Sequence, residues 1–153
     1  GVETVDLGAV MADVIASLEP QIVRGGIEII NNVQPGHQVA GEKFLITHAV
    51  LNLVKNAVQF TPGGGAITLT SSSGEHSTVL AISDTGAGIP DYARERIFDR
   101  FYSLPGMDRT RGTGLGLPFV REVANLHGGH VEVRNNDGGP GVTATLTLPE
   151  NRS

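Results

Sequence analysis

Three stretches of this sequence repeat their apolar residues at helical spacing, and each is shut off by glycine. Leu7, Val10, Met11, Val14, Ile15 and Leu18 mark one helical face, with Asp6 placed as an N-cap and Gly25-Gly26 as the stop. A longer helix is expected from about Gly41 to Phe60, ended by Thr61-Pro62-Gly63-Gly64-Gly65. Leu115 to Leu126 is the third, ending at Gly128-Gly129. Between them lie strand-like runs, Ile27 to Val33, Ala66 to Ser71, Thr78 to Asp84, Val131 to Arg134 and Val142 to Leu148. Pro35-Gly36 reads as a turn, and the polar links before Thr78 and before Val142 read as hairpin turns. Residues 91 to 97 suit a short helix. The order predicts an α+β chain folded as a two-layer α/β sandwich. Three main helices should lie on one face of a mixed, mostly antiparallel sheet. From Asp99 to Gly114 no period is visible, and structureless loops of that length in compact domains are often lids.

Other classes drop out on composition. The chain has 153 residues and no cysteine, so it carries no disulfide scaffold, thiolate metal site or thiol nucleophile. A net charge of -5 speaks against nucleic acid as the main partner, because phosphate backbones demand a basic face. No apolar run reaches membrane-spanning length, and Gly1-Val2-Glu3-Thr4 reads as a fragment boundary rather than a signal peptide. Five of the eleven Lys and Arg residues, Arg94, Arg96, Arg100, Arg109 and Arg111, crowd into eighteen positions. That concentration suits a small anionic ligand, although solvated surface charge also explains it.

Three features carry chemistry. On the long helix His48, Lys55, Asn56 and Gln59 fall within about 60° of Asn52 at 100° per residue, a polar stripe on an otherwise apolar helix. The stripe offers neutral amide oxygens, which suit magnesium when phosphates bring the negative charge. An ordinary solvent-facing stripe is the plainer explanation. Second, Asp84-Thr85-Gly86-Ala87-Gly88-Ile89-Pro90 ends a buried strand on a carboxylate and turns at once through Gly-x-Gly. A carboxylate only accepts hydrogen bonds, so it welcomes the amino group of adenine and rejects the carbonyl of guanine. Taken alone, the motif is also what a simple strand-end turn looks like. Third, Gly112-Thr113-Gly114-Leu115-Gly116-Leu117-Pro118 opens the last helix, where free amides and the helix dipole attract phosphate. It is neither a Gly-x-x-x-x-Gly-Lys-Ser/Thr loop nor, lacking a preceding strand, a dinucleotide fingerprint.

Asp84-Thr85-Gly86 also matches the turn of aspartic proteases. Those need two facing aspartates, and a chain with one such turn and three helices is a poor candidate.

Taken in order, His48-x-x-x-Asn52-x-x-x-Asn56, Asp84-x-Gly86-x-Gly88-Ile89, Ile97-Phe98-x-Arg100-Phe101-Tyr102 and Gly112-x-Gly114-x-Gly116 resemble the motif series of bacterial sensor histidine kinases. The likeness covers about Asp6 to Leu148 and is to their catalytic, ATP-binding domain, of the Bergerat-fold (GHKL) ATPases. Residues 1–153 would be one such domain, with an asparagine box near 44–60, glycine boxes at 84–90 and 112–117, a phenylalanine box at 97–102 and a lid near 99–114. Arg100 to Pro105 and Gly114 to Ala124 look CreC-type.

The resemblance implies ATP and Mg²⁺ as ligands, with Asn56 on the metal and Asn52 placing phosphate, water or metal. Asp84 would bind the adenine amino group over a floor of Gly86 and Gly88, bounded by Ile89, with Phe60 against the base. Thr113, Gly114, Leu115 and Gly116 would meet the phosphates. Two positions depart from the family: Gln59 stands where many relatives carry lysine, and Ser103 where many carry arginine. Arg100, Arg109 or Arg111 could restore that charge, and Arg100 is counted with Asn52 and Asn56 as catalytic.

The implied reaction moves the γ-phosphoryl group of Mg-ATP to a histidine, then on to a response regulator. Family acceptor histidines precede an acidic residue, and none of the five here does so. An acceptor-histidine and dimerisation domain is therefore expected elsewhere in the parent kinase. The piece would be monomeric and the parent dimeric, with this domain cytoplasmic and the parent in the inner membrane. His37, His76, His127 and His130 read as solvated. Two alternatives remain: a degenerate nucleotide-binding signalling module, and an ATPase clamp, which would need glutamate at Asn52 as general base.

Overall fold

A computed structural model describes residues 1–93, 96–99 and 116–150. Arg100, Phe101, Ser103, Arg109, Arg111, Thr113, Gly114, Leu115 and nearly all of the expected lid lie outside the described residues.

In chain order the elements are β1 (Glu3–Asp6), α1 (Leu7–Gly25), β2 (Glu28–Asn32), β3 (Gln38–Gly41), α2 (Lys43–Phe60), β4 (Ala66–Ser73) and β5 (Ser77–Asp84). A single 3-10 turn (Asp91–Ala93), α3 (Gly116–Leu126), β6 (His130–Asn135) and β7 (Val142–Pro149) follow. The main sheet has five strands in the order β2-β4-β5-β7-β6. Only the β2–β4 pair is parallel, so the sheet is mixed and mostly antiparallel as expected.

Helix ends follow local chemistry. Asp6 caps α1 by accepting from the amides of Gly8 at 2.8 Å and Ala9 at 3.3 Å. Gly26 closes it in the left-handed region at φ 63°, its N–H reaching back to Ile22 and Val23 carbonyls. The side chains the sequence assigned to the inner face of α1, Leu7, Val10, Met11, Val14 and Leu18, are all buried. They share one core with Ile46, Val50, Leu53 and Val54 of α2, Val120 and Val123 of α3, and the inward row of the sheet. Ile67, Leu69, Leu80, Ile82 and Leu146 are at most 2% exposed, and such side chains contribute about 1.5–3 kcal/mol each on burial. All three helices lie on this one side. No helix among the described residues is long and apolar enough to cross a membrane.

Two expectations need correction. The sequence order omitted β1 and β3, which pair antiparallel from Glu3↔Gly41 to Asp6↔Gln38 as a separate two-stranded sheet. Val5 and Val39 of that pair are buried in the core. His127 is not solvated but 2% exposed. Its Nδ1 donates to the Val123 carbonyl at 2.7 Å, and its Nε2 accepts from the Glu42 amide at 3.0 Å, tying the end of α3 to the start of α2. Gly41 makes room for it: a Cβ there would lie 2.4 Å from the His127 ring.

Candidate functional site

Strand alternation decides where Asp84 goes. Thr78, Leu80, Ile82 and Asp84 occupy every second position of β5 and are all buried, so the carboxylate continues the core-facing row towards the helices. Asp84 itself is 5% exposed. Its Oδ1 accepts from the amides of Gly86 at 2.9 Å and Val142 at 3.2 Å. No described residue donates to Oδ2. Burial pushes the Asp84 carboxyl above its ordinary value, and the Gly86 and Val142 amides pull against that rise without reversing it. The result is a buried acceptor with one oxygen fixed and the other available.

The turn after Asp84 is seated against the C-terminal end of α2. A Cβ on Gly86 would stand 2.5 Å from the Phe60 carbonyl oxygen, so only glycine allows this approach. Gly88 adopts φ +88°, a left-handed conformation that again favours glycine. Thr85 anchors the turn to β4, its hydroxyl accepting from the Ala66 amide at 3.0 Å.

Eight residues back along α2, about 12 Å at the helical rise, stands Asn52. Here the first residue of α3 arrives: a Cβ on Gly116 would be 3.4 Å from Asn52 Oδ1. Thus α2 is flanked by the first glycine motif at Phe60 and by the start of α3 at Asn52. Between these ends Asn52, Lys55, Asn56 and Gln59 are half-buried on one face, opposite the buried Ile46, Val50, Leu53, Val54 and Ala57. His48 is exposed at the outer end of the stripe, its Nδ1 3.0 Å from the Phe44 carbonyl and its ring tilted 47° against that of Phe44, centroids 4.2 Å apart. The amides of Asn52 and Asn56 make no hydrogen bond with any described residue, so their oxygens are available to a cation. Those oxygens suit a hard cation. Among the described residues no group of three or more His, Asp or Glu side chains gathers to hold a metal on protein charge alone.

The structure therefore brings together Asn52, Asn56, Gln59, Phe60, Asp84, Gly86, Gly88, Ile89 and Gly116. Of the phenylalanine box, Ile97 is buried and Phe98 half-buried, with the Arg121 guanidinium of α3 5.1 Å over the Phe98 ring. Sequence reasoning missed Asn135, Asn136 and Gly141, in the hairpin between β6 and β7. Asn135 bonds the Ile89 backbone, Asn136 bonds the Asp84 carbonyl, and a Cβ on Gly141 would fall 1.9 Å from that same carbonyl. Their one sequence signal is the polar Asn-Asn-Asp-Gly-Gly-Pro-Gly run, which reads as an ordinary turn.

Residues 41–152 match the family described as histidine kinase-, DNA gyrase B-, and HSP90-like ATPase. The chain belongs to this ATPase family. Within it, sensor protein CreC of Escherichia coli (strain K12) is 50% identical over 110 residues, or 72% of this chain and 23% of that protein. The mycobacterial sensor histidine kinase MprB is 33% identical over 100% of both chains, with a TM-score of 0.83. Full-length ShkA, solved in complex with AMPPNP, is 29% identical, with a TM-score of 0.84 over 100% of this chain and 32% of that one. The two-layer sandwich is thus the Bergerat fold of histidine kinase catalytic domains, and the CreC-type likeness is borne out.

Proposed function

We propose that this chain is the ATP-binding catalytic domain of a sensor histidine kinase, and that the cleft along α2 between Gly86 and Gly116 holds Mg-ATP. The observation that carries this reading is Asp84, a buried acceptor with Oδ1 committed to two backbone amides and Oδ2 available beside the C-terminus of α2. Such an oxygen accepts from a base with an amino donor and rejects one with a carbonyl at that position, so it favours adenine over guanine. Phe60 supplies apolar surface for the base, and Gly86 and Gly88 keep side chains off the floor.

Asn52, Asn56 and Gln59 then line the run from base to phosphates. Asn56 is assigned to Mg²⁺, its uncharged amide oxygen fitting a metal whose charge is balanced by phosphates rather than carboxylates. When bound there, Mg²⁺ would supply positive charge to offset that of the phosphates during transfer. Asn52 orients phosphate or metal-bound water. Gly116 opens α3 beside Asn52 without a side chain, a helix N-terminus suited to phosphate, and the family resemblance assigns Thr113, Gly114 and Leu115 to the phosphates too. Arg100 adds charge for the terminal phosphate, offsetting the neutral Gln59.

Because Asn52 is an amide, it cannot take a proton from water, which favours transfer to a separate acceptor over a hydrolytic clamp. The acceptor is a histidine outside this chain, on a dimerising domain of the same kinase, from which the group passes to a response regulator. His127 is unsuitable, being buried with both ring nitrogens engaged. A cytoplasmic domain of a membrane-anchored parent fits this role. Calorimetric titration with a non-hydrolysable ATP analogue tests the assignment: binding that weakens when magnesium is chelated is expected. Absence of binding overturns it.

A further inference from the structure

The turn that reads the base has little to hold it in place. Among the described residues no backbone–backbone hydrogen bond closes it between Thr85 and Ile89, and two of its residues are glycines. Beyond the Gly86 amide on Asp84 Oδ1 and the Thr85 hydroxyl on β4, its restraints come from the β6–β7 hairpin. The Asn135 side chain meets both backbone groups of Ile89: Oδ1 accepts from the Ile89 amide at 2.7 Å, and Nδ2 donates to the Ile89 carbonyl at 2.9 Å. One side-chain amide thereby imitates a neighbouring strand, and only a group with adjacent donor and acceptor can do so. At the other end of the turn Asn136 Nδ2 donates to the carbonyls of Asp84 and Pro140, each at 3.0 Å. The Asn136 amide closes the hairpin on Gly141 at 2.9 Å. Val142, next in the same hairpin, supplies one of the two amides on Asp84 Oδ1.

Resting on the nucleotide reading above, we propose that Asn135, with Asn136 as its second anchor, is a positioning residue for base selection. The hairpin fixes both ends of the turn and so aims Asp84 Oδ2 at the amino group of adenine. A side chain that acted only on stability would change affinity for every nucleotide alike. One that aims Asp84 changes the preference for adenine over a base with a carbonyl at the same position.

Hypoxanthine is that base, so adenosine diphosphate and inosine diphosphate are the probes, each titrated with Mg²⁺ against the wild-type chain, Asn135→Ala and Asn135→Asp. Wild type is expected to favour the adenine nucleotide. Asn135→Ala should weaken adenosine diphosphate about tenfold, the scale of losing one or two net hydrogen bonds. Inosine diphosphate should change about twofold or less, so that the preference narrows. Asn135→Asp keeps an acceptor for the Ile89 amide but faces its carbonyl with a second acceptor, so it should behave like alanine. If either folded variant keeps the wild-type preference, or loses both nucleotides in equal proportion, the proposal is overturned. If neither variant folds, Asn135 belongs to the fold and the proposal also falls. Failure of the wild type to bind either nucleotide would instead refute the nucleotide site itself.

Discussion

Asp84→Asn separates the site from the fold more cleanly than any other single change. In the wild type the Asp84 carboxylate is buried, and burial raises its pKa above the ordinary carboxylate range. The charged form is therefore a liability in the folded chain. Stability linked to this group is fully present below the unfolded pKa and is lost as pH rises through the raised folded one. At neutral pH asparagine removes that liability while its Oδ1 still accepts from the Gly86 and Val142 amides. The melting temperature should therefore hold or rise. Binding should weaken sharply. With Oδ1 on those amides, the variant points an NH₂ donor at the amino donor of adenine. If the amide flips, the two backbone N–H groups face a donor instead. Losing a charge-assisted hydrogen bond and leaving a donor unpaired should cost about 2–3 kcal/mol, a loss of roughly 30- to 150-fold in affinity. The wild type should also lose adenine affinity as pH falls through the raised Asp84 value, while the variant's affinity stays flat. Calorimetric titration beside thermal denaturation, each over pH 4–8, reads both quantities. A variant that binds as well as wild type, or that binds poorly only because it has unfolded, would refute the reasoning.

If Asn56 holds Mg²⁺ as proposed, Asn56→Ala should leave metal-free nucleotide binding nearly unchanged but lower affinity in magnesium by about tenfold or more; titrations with and without chelator measure this. Gly86→Ala places a methyl 2.5 Å from the Phe60 carbonyl, so the backbone must move. It should cost about 1–3 kcal/mol in chemical denaturation and weaken the nucleotide as well. His127→Leu removes the acceptor of the Glu42 amide and should destabilise the chain by about 1–3 kcal/mol while sparing nucleotide affinity.

Periodicity carries most of this fold. Helix faces, the β4–β5 and β6–β7 hairpins and the buried row ending at Asp84 all follow from spacing and glycine punctuation. What stayed illegible depends on distant pairing. β1 and β3 are four residues each, too short to display a period, and exist because Val5 meets Val39 across a separation that local pattern does not encode. His127 stands beside Gly128-Gly129 and so looks like a helix end in water. Its burial is permitted by Gly41, far away in sequence. Asn135 and Asn136 hide for the same reason. Turn composition explains asparagine locally, and only the fold shows their side chains gripping Ile89 and Asp84 some fifty positions earlier, at separations of 46 and 52. The candidate site motifs are legible because each is local, and the fold adds that Asp84, Gly86 and Gly116 converge on α2.

The most direct test of the central claim is a crystal structure of this chain grown with magnesium and a non-hydrolysable ATP analogue, read for the distance from the adenine amino nitrogen to Asp84. The expected result is a hydrogen bond of about 2.7–3.2 Å to Oδ2, with Oδ1 still on the Gly86 and Val142 amides. A base bound away from Asp84, or one whose amino group faces another acceptor, would contradict it.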